Sequence, residues 1–541
     1  MRSTTSFPAV TPKIILFCAM ALVCFAQPVS GGELETFTLP GPAGDGGMYY
    51  PDLQSSFPGV NWSQLDRLYI PADHYRFLNL GNLPQRSAAH PLVITNLGGQ
   101  VRVGGLGFHY NFSIGGGSHW KLTGRWDAAA ATGNDAFPGH GGGDYAGSRG
   151  RYGIYIDDAF LDTDSGLAIG RHATNFEVEF VEIAHVGFAG ALVKTDDSGG
   201  SHMENIRFHD NYIHDTGSEG VYFGSTQGEP QHKISGLRFY NNRIVRTGTE
   251  ALQLGQMGGD SEVYNNVFAW GALAWKNPFQ PFQDNNTQIG AREGSTQIHH
   301  NVFVGGATNF LILFNQVRTG DSHQQGDEVE FFDNYFSHGR NIGAYFQESE
   351  GNAVTKFRFE DNIFREIRFQ YDELYEGQVD HNTVFRIFNT ENPIEIHNNR
   401  WSGPQSLFLA PGSNIVTSGN VNAALPPFEF VDSGFLADFD YLLLEEWAAI
   451  SGLTDKPIFY SEGDWVMHLG LLYECVEVGS HTDKIPTKHP ATWASRPLPP
   501  DDLRQAATSP YQGMGLLDRQ GIFADGFESG NLSAWSLSTT P

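Results

Sequence analysis

The sequence predicts an all-β protein: a right-handed parallel β-helix with a small β-rich module near its C-terminus. Three observations carry this expectation. First, the phrase Asp210-Asn211-Tyr212-Ile213 returns as Asn241-Asn242-Arg243-Ile244, Asn265-Asn266-Val267-Phe268, His300-Asn301-Val302-Phe303, Asp333-Asn334-Tyr335-Phe336, Asp361-Asn362-Ile363-Phe364, His381-Asn382-Thr383-Val384 and Asn398-Asn399-Arg400-Trp401. Subtracting successive numbers of the second Asn gives steps of 31, 24, 35, 33, 28, 20 and 17, periods that belong to solenoids. Second, each copy is flanked by short alternating runs such as Ile206-Arg207-Phe208-His209 and Val221-Tyr222-Phe223, which is strand grammar. Third, Gly, Asn, Asp and Thr fill the spaces between runs, and no long helical periodicity occurs there. With coils ~4.8 Å apart, one Asn per corner predicts a ladder of buried amides that is structural rather than functional.

The elements follow in chain order. Arg2 and Lys13 precede the apolar run from Ile14 to Ala26, and Cys24-Phe25-Ala26 ends on a small residue. Residues 1–26 therefore read as a signal peptide, and the protein is expected to be secreted or held at the cell surface. Cys18 and Cys24 fall inside that peptide, which leaves Cys475 and no internal disulfide. No later segment reads as membrane-spanning. From residue 34 a lead-in contributes strands at Pro91 to Asn96, Gly99 to Val103 and Trp120 to Gly124, interrupted by a Gly-rich insertion from Gly139 to Gly150. The solenoid is expected to run over residues 34–445.

Charge narrows the partners. Lys and Arg number 33 against 61 Asp and Glu, a formal charge of -28. Nucleic acids and anionic membranes need a basic face and are excluded as expected partners, and a polyanionic substrate is disfavoured. A monomer is expected.

Gly187-Phe188-Ala189-Gly190 with Lys194-Thr195-Asp196, the stretch His209 to Gly217, and Thr247 to Gly255 resemble exported bacterial right-handed parallel β-helix proteins of the pectate-lyase-like superfamily. That resemblance implies the fold and a carbohydrate substrate, and names no single reaction. Tyr460-Ser461-Glu462-Gly463-Asp464-Trp465-Val466, Gly470-Leu471-Leu472-Tyr473-Glu474-Cys475 and Trp493 resemble the small chitin- and cellulose-binding modules of bacterial chitinases. Residues 455–497 are then a carbohydrate-binding-like module, with Trp465, Tyr473 and Trp493 as candidate sugar-stacking rings; the alternative is a small β module that uses them as its core. Residues 498–518 look like the segment that closes the solenoid, and 519–541 like an export-associated tail.

Aligning coils by their Gly corners places Ala189, Glu219, Glu250 and Asn285 in one column and Leu192, Tyr222, Gln253 and Gln288 in another. The flanking residues of the second column alternate inward, so it is expected to face solvent as a sugar-binding strip. In the first, two carboxylates one coil apart suit the acid and nucleophile of a retaining glycosidase. Glu219 and Glu250 with Asn285 could instead hold Ca²⁺, or the column could be structural. His214 and Asp215 are further catalytic candidates and Arg292 a substrate-binding one, and the resemblance to β-helix lyases, which use Lys or Arg as base, makes Lys194, Lys276 and Arg292 the candidates for that role. The expectation is an exported enzyme cleaving glycosidic bonds in a polysaccharide. Hydrolysis without a cofactor leads, a Ca²⁺-dependent lyase follows, and a non-catalytic glycan-binding solenoid is third.

Overall fold

The computed structural model describes residues 34–516 apart from 106–108, 125–151, 162–163, 196–201, 227–231, 279, 281–282, 307–308, 317–320, 322–325, 347–354, 368–382, 388–391, 404–405, 410–413, 432–443, 453–454 and 499–502. The expected signal peptide, Gly-rich insertion and C-terminal tail lie outside the described residues.

Three long parallel sheets of 13, 12 and 14 strands form the body, which is the parallel β-helix. Sheet A begins at Thr36–Thr38, sheet B at Gly47–Tyr50 and sheet C at His74–Tyr75. Each coil visits them in the order A, C, B. One coil reads Arg207–His209 in A, Tyr212–Thr216 in C and Val221–Phe223 in B, before Arg238–Tyr240 returns to A. The last solenoid strand is Val421–Asn422.

The corner from A to C explains the recurring phrase. From the coil of Arg207–His209 onward it is always two residues long. Its first residue, Asp210, Asn241, Asn265, His300, Asp333, Asp361 or Asn398, takes φ between 51° and 55°, and Gly419 takes 68° in the final coil. Asn, Asp and Gly populate this left-handed region most readily. The second residue is the ladder. Its amide nitrogen donates to the side-chain oxygen of the next coil's Asn, from Asn211 to Asn242 (3.1 Å), Asn266 (3.1 Å), Asn301 (2.9 Å), Asn334 (3.0 Å), Asn362 (2.9 Å), Asn399 (3.0 Å) and Asn420 (3.1 Å). The same oxygen also accepts a backbone N–H, as Asn266 Oδ1 does from Asn242 N at 2.9 Å. All the ladder members from Asn211 to Asn399 are buried.

Two sequence readings are corrected by this register. Asn362 bonds directly to Asn399, so the steps of 20 and 17 are one step of 37. The phrase around Asn382 leads into Thr383–Ile387, a strand of sheet B, and is a chance likeness. Asn420 extends the ladder by one coil that the phrase did not reveal.

Inside the tube like stacks on like. Phe268, Phe303, Phe336 and Phe364 form a pile with ring centroids 4.9, 4.6 and 4.7 Å apart. A second core covers the outer face of sheet C, where Val245, Val267, Val302 and Tyr335 pack against Phe428, Phe430, Met467, Leu472, Leu503 and Leu516. Residues 503–516 therefore lie along the side of the solenoid and add no strand to its three sheets: Gly515 N donates to His300 O (2.8 Å) and Asn265 Nδ2 to Gly513 O (2.7 Å).

The C-terminal module is a four-stranded sheet of Glu445–Glu446, Trp465–His468, Leu471–Cys475 and Trp493–Arg496. Its first strand comes from upstream of residue 455. Of the three candidate sugar-stacking rings two are corrected: Tyr473 and Trp493 are buried with Ile458, Tyr460, Val466 and Cys475, and the Trp493 indole N–H donates to Lys484 O at 2.7 Å. Trp465 is half-buried against the second core. Its hairpin turns through Leu469 (φ 52°) and Gly470 (φ 71°), the double left-handed geometry of a tight two-residue loop. A Cβ at Gly470 would lie 2.6 Å from His185 Cδ2, so the hairpin tip rests on the solenoid.

The ladder predicts position-dependent costs. Asn301→Ala strips partners from buried groups on both sides and should destabilise by about 1–3 kcal/mol. Asn420→Ala, at the half-buried end, should cost less. Denaturant titration of both variants checks this, and equal losses would contradict it.

Candidate functional site

Loops identify the working face. From the coil of Arg207–His209 onward corners from A to C are two residues long, the one long A-to-C connection, 30 residues between Thr123 and Ile154, lying in an earlier coil, whereas connections bordering sheet B in these later coils include long and unequal ones: 13 residues between Gly271 and Asn285, 12 between Asn315 and Glu328, 9 between Phe346 and Lys356, and 15 between Ile367 and Thr383. Variable loops on a rigid scaffold are where binding and catalysis concentrate. The outer face of sheet B is thus the first place to look.

The register there matches the sequence alignment. Leu192 pairs with Tyr222, Tyr222 with Gln253 and Gln253 with Gln288, and the column continues through Ile312 and Tyr345 to Arg386. The expected exposure is corrected, because Tyr222, Gln253 and Gln288 point away from the core yet are buried. Thr226 turns back over them, its N–H donating to Tyr222 Oη (3.0 Å) and its hydroxyl accepting from Gln253 Nε2. Lys194 Nζ sits 4.7 Å over the Tyr222 ring. Further along, the Arg386 guanidinium sits 5.1 Å over Tyr345, and both side chains are half-buried.

Beside this column, Glu219 and Glu250 occupy equivalent places in successive coils, Gly220 N donating to Glu250 O at 2.8 Å. They are 1% and 0% exposed. Glu219 Oε1 accepts from Gln283 Nε2 at 3.0 Å, while Glu219 Oε2 and both Glu250 oxygens find no hydrogen-bond donor among the described residues. Burial raises both carboxyls. For Glu219 its own N–H, the Ser218 side chain, Lys194 and Gln283 oppose that rise. For Glu250 the neighbouring Glu219 charge adds to burial and holds it well above the ordinary range. Burial and their mutual repulsion thus favour the protonated form of the pair, most strongly at Glu250. Lys194 is pushed down by burial, against the pull of Glu219.

Other candidates are placed differently. Asn285 continues the column one coil beyond Glu250, as the pairing of Leu252 with Thr287 places it, and its Oδ1 accepts from Asn309 Nδ2 at 2.8 Å. Arg292 is committed to Asp321 through contacts of 2.9–3.1 Å and to Gln256 at 3.3 Å, and is not a substrate clamp. His214 and Asp215 lie on sheet C instead, buried beneath the module. His214 Nδ1 is 2.7 Å from Asp215 Oδ2, and Arg246 donates to both Asp215 oxygens at 2.7 and 2.9 Å. Burial would raise the Asp215 carboxyl, but Arg246 and His214 hold it far below its usual range. This is a buried ion pair, its two side chains 1% and 0% exposed.

Two groups of metal-ligating side chains exist among the described residues, His185, His214 and Asp215, and Glu177, Glu179 and His209. Each already holds a cationic side chain: Arg246 on Asp215, and Lys121 Nζ at 2.8 Å from both Glu177 and Glu179.

Sequence reasoning missed Arg246 and Gln283. Arg246 had a signal, because it stands four residues after Asn242 as Asp215 stands four after Asn211. Gln283 had none, since it belongs to a connection outside the repeat.

The sequence matches no protein-family model and no curated protein. Similar solved structures include an alginate lyase from Paenibacillus sp. str. FPU-7, at 14% identity over 72% of this chain and 99% of that one with a TM-score of 0.35. Pectate lyase Pel9A is similar at 10% identity over 79% and 88%, TM-score 0.31. The catalytic unit of a GH87 α-1,3-glucanase from Streptomyces thermodiastaticus strain HF3-3 is similar at 15% over 71% and 70%, TM-score 0.37.

The carboxyl pair predicts a pH dependence of stability. Glu250 binds its proton more tightly folded than unfolded, where its pKa is about 4.3. Between those two values the native state holds the extra proton, so stability falls as pH rises from about 4.3 through the elevated folded value. Glu250→Gln removes that loss. Calorimetry should show the variant melting above the parent at pH 8, with the gap closing toward pH 4; a gap independent of pH would contradict the assignment.

Proposed function

We propose that the protein is an exported enzyme that hydrolyses glycosidic bonds of a polysaccharide on the outer face of sheet B. The observation supporting this reading is the stacked pair Glu219 and Glu250 with unequal surroundings. Coil spacing of ~4.8 Å sets their separation close to the ~5–5.5 Å between carboxyls in retaining glycosidases. Environments that push two carboxyls toward different protonation states assign acid and nucleophile.

Glu250, keeping its proton, gives it to the glycosidic oxygen as the bond to the anomeric carbon breaks. Glu219, whose charge Gln283 and Lys194 favour, attacks that carbon and forms a glycosyl ester. Water then displaces the ester, losing its proton to Glu250, and both carboxyls return to their starting states. Gln283 covers the pair, so its side chain must yield as substrate settles. Tyr345 and Arg386 extend the face by further coils, offering a ring and a guanidinium to neighbouring sugars.

A second reading has its own observation. Lys194 is partly desolvated, with its pKa lowered, and such an amine can take a proton from carbon as a lyase base. In that reading Ca²⁺ would be held by Glu219 and Glu250, whose donor-free oxygens suit a hard cation, and would neutralise a substrate carboxylate. The non-catalytic reading leaves the Glu column structural.

Incubation with a polysaccharide panel, following both reducing ends and the ultraviolet absorbance of unsaturated products, separates them. Hydrolysis predicts reducing ends without absorbance, lost by at least ~10²-fold in Glu219→Gln and Glu250→Gln and retained in Lys194→Met. Absorbance lost in Lys194→Met, with calcium-dependent melting, would select the lyase. Neither signal on any substrate would leave a binding protein.

A further inference from the structure

We propose that the seam between the C-terminal module and sheet C is a second ligand site, which takes a neutral, sugar-sized molecule. A cavity of about 450 Å³ opens there, within the roughly 300–1,000 Å³ of small-molecule sites. Both bodies build it: Phe160, Leu161 and Leu273 come from the solenoid, Met467 and Leu469 from the module's hairpin. Its floor is backbone. Gly217 and Gly248 carry no side chain because a Cβ at either would meet the carbonyl of the preceding coil, at 2.5 Å from Gly187 O and 2.1 Å from Gly217 O. Coil stacking has thus left a hollow that the module roofs.

The chemistry of the lining selects the ligand. Asp215 and Arg246 reach the lining, but they neutralise one another with side chains 0% and 1% exposed. Glu446 supplies the accessible polar group, and His468 Nδ1 is 3.6 Å from its Oε1. The Glu446 side chain is about a third exposed, and an acidic group at the mouth disfavours an anionic ligand. Leu161 and Leu469, each about half exposed, form an apolar lip; exposed apolar groups gathered around a concavity mark interaction sites. Apolar walls with one carboxyl and bare peptide groups suit a molecule with C–H faces and hydroxyls. The choice of a sugar rests on the function proposed above, since an enzyme cutting polysaccharides would meet neutral oligosaccharides.

Calorimetric titration tests this in the full-length Glu250→Gln protein, where turnover is not required. The probes are cellobiose, N,N′-diacetylchitobiose and nigerose, with glucuronate as an anionic control and hexane-1,6-diol as an apolar one. At least one disaccharide should bind at one site per chain. Leu161→Trp and Leu469→Trp, which fill the mouth from opposite sides, should each weaken it by at least ~10-fold. No disaccharide binding, binding of the diol or glucuronate alone, or disaccharide binding indifferent to both Trp variants would overturn the proposal. Polysaccharide cleavage by the parent without such binding would sink this site and leave the catalytic reading standing. Binding at the mouth without any cleavage would do the reverse.

Discussion

A two-residue corner, repeated at the same place in successive coils, governs this molecule. Its first residue accepts a left-handed backbone and its second turns an amide inward, and every inward amide satisfies a backbone N–H and a side chain in the coils beside it. Because each Asn is bonded on both sides, no coil can slip by a residue without orphaning buried polar groups, at about 1–3 kcal/mol for each. The corner therefore fixes register, and register fixes what stands above what.

Once register is locked, identity in sequence becomes contact in space. For apolar residues this is favourable, as in the pile from Phe268 to Phe364, where offset or parallel rings add to burial. For charged residues it is costly. Glu250 above Glu219 is a like-charge stack in a buried place, and its remedy is a retained proton. Elsewhere the same stacking produces pairs of opposite sign, Arg246 on Asp215 and Lys121 between Glu177 and Glu179. The pair beside sheet B has no cation in ion-pair contact among the described residues, Lys194 pulling on Glu219 only from a distance, and such incomplete compensation is what makes it a candidate site.

The repeat was legible in the sequence because it is local: Asn at fixed places, apolar alternation around it, and turn residues between. The same locality made the columns Glu219 to Glu250 and Tyr222 to Gln288 readable, and would have yielded Arg246 above Asp215. Exposure was not readable. Alternation says which residues leave the core of the tube, but Tyr222 and Gln253 are then covered by Thr226, and His214 by a module hundreds of residues away. Asn382 misled because four residues can match a corner while the chain is entering a different sheet. The module's rings illustrate a third limit: the Tyr-x-Cys and Trp pattern fits a binding face and a miniature core alike, and only packing separates them.

The claim that carries the most weight is that the stacked carboxyls on sheet B are where a glycan is handled. A crystal structure of Glu250→Gln soaked with an oligosaccharide cut from whichever polysaccharide the parent degrades tests it most directly. The account predicts a sugar ring lying over Glu219 and Gln at position 250, with Gln283 displaced from Glu219. A glycan bound productively on another sheet, with the Glu219 to Gln283 contact intact, would contradict it.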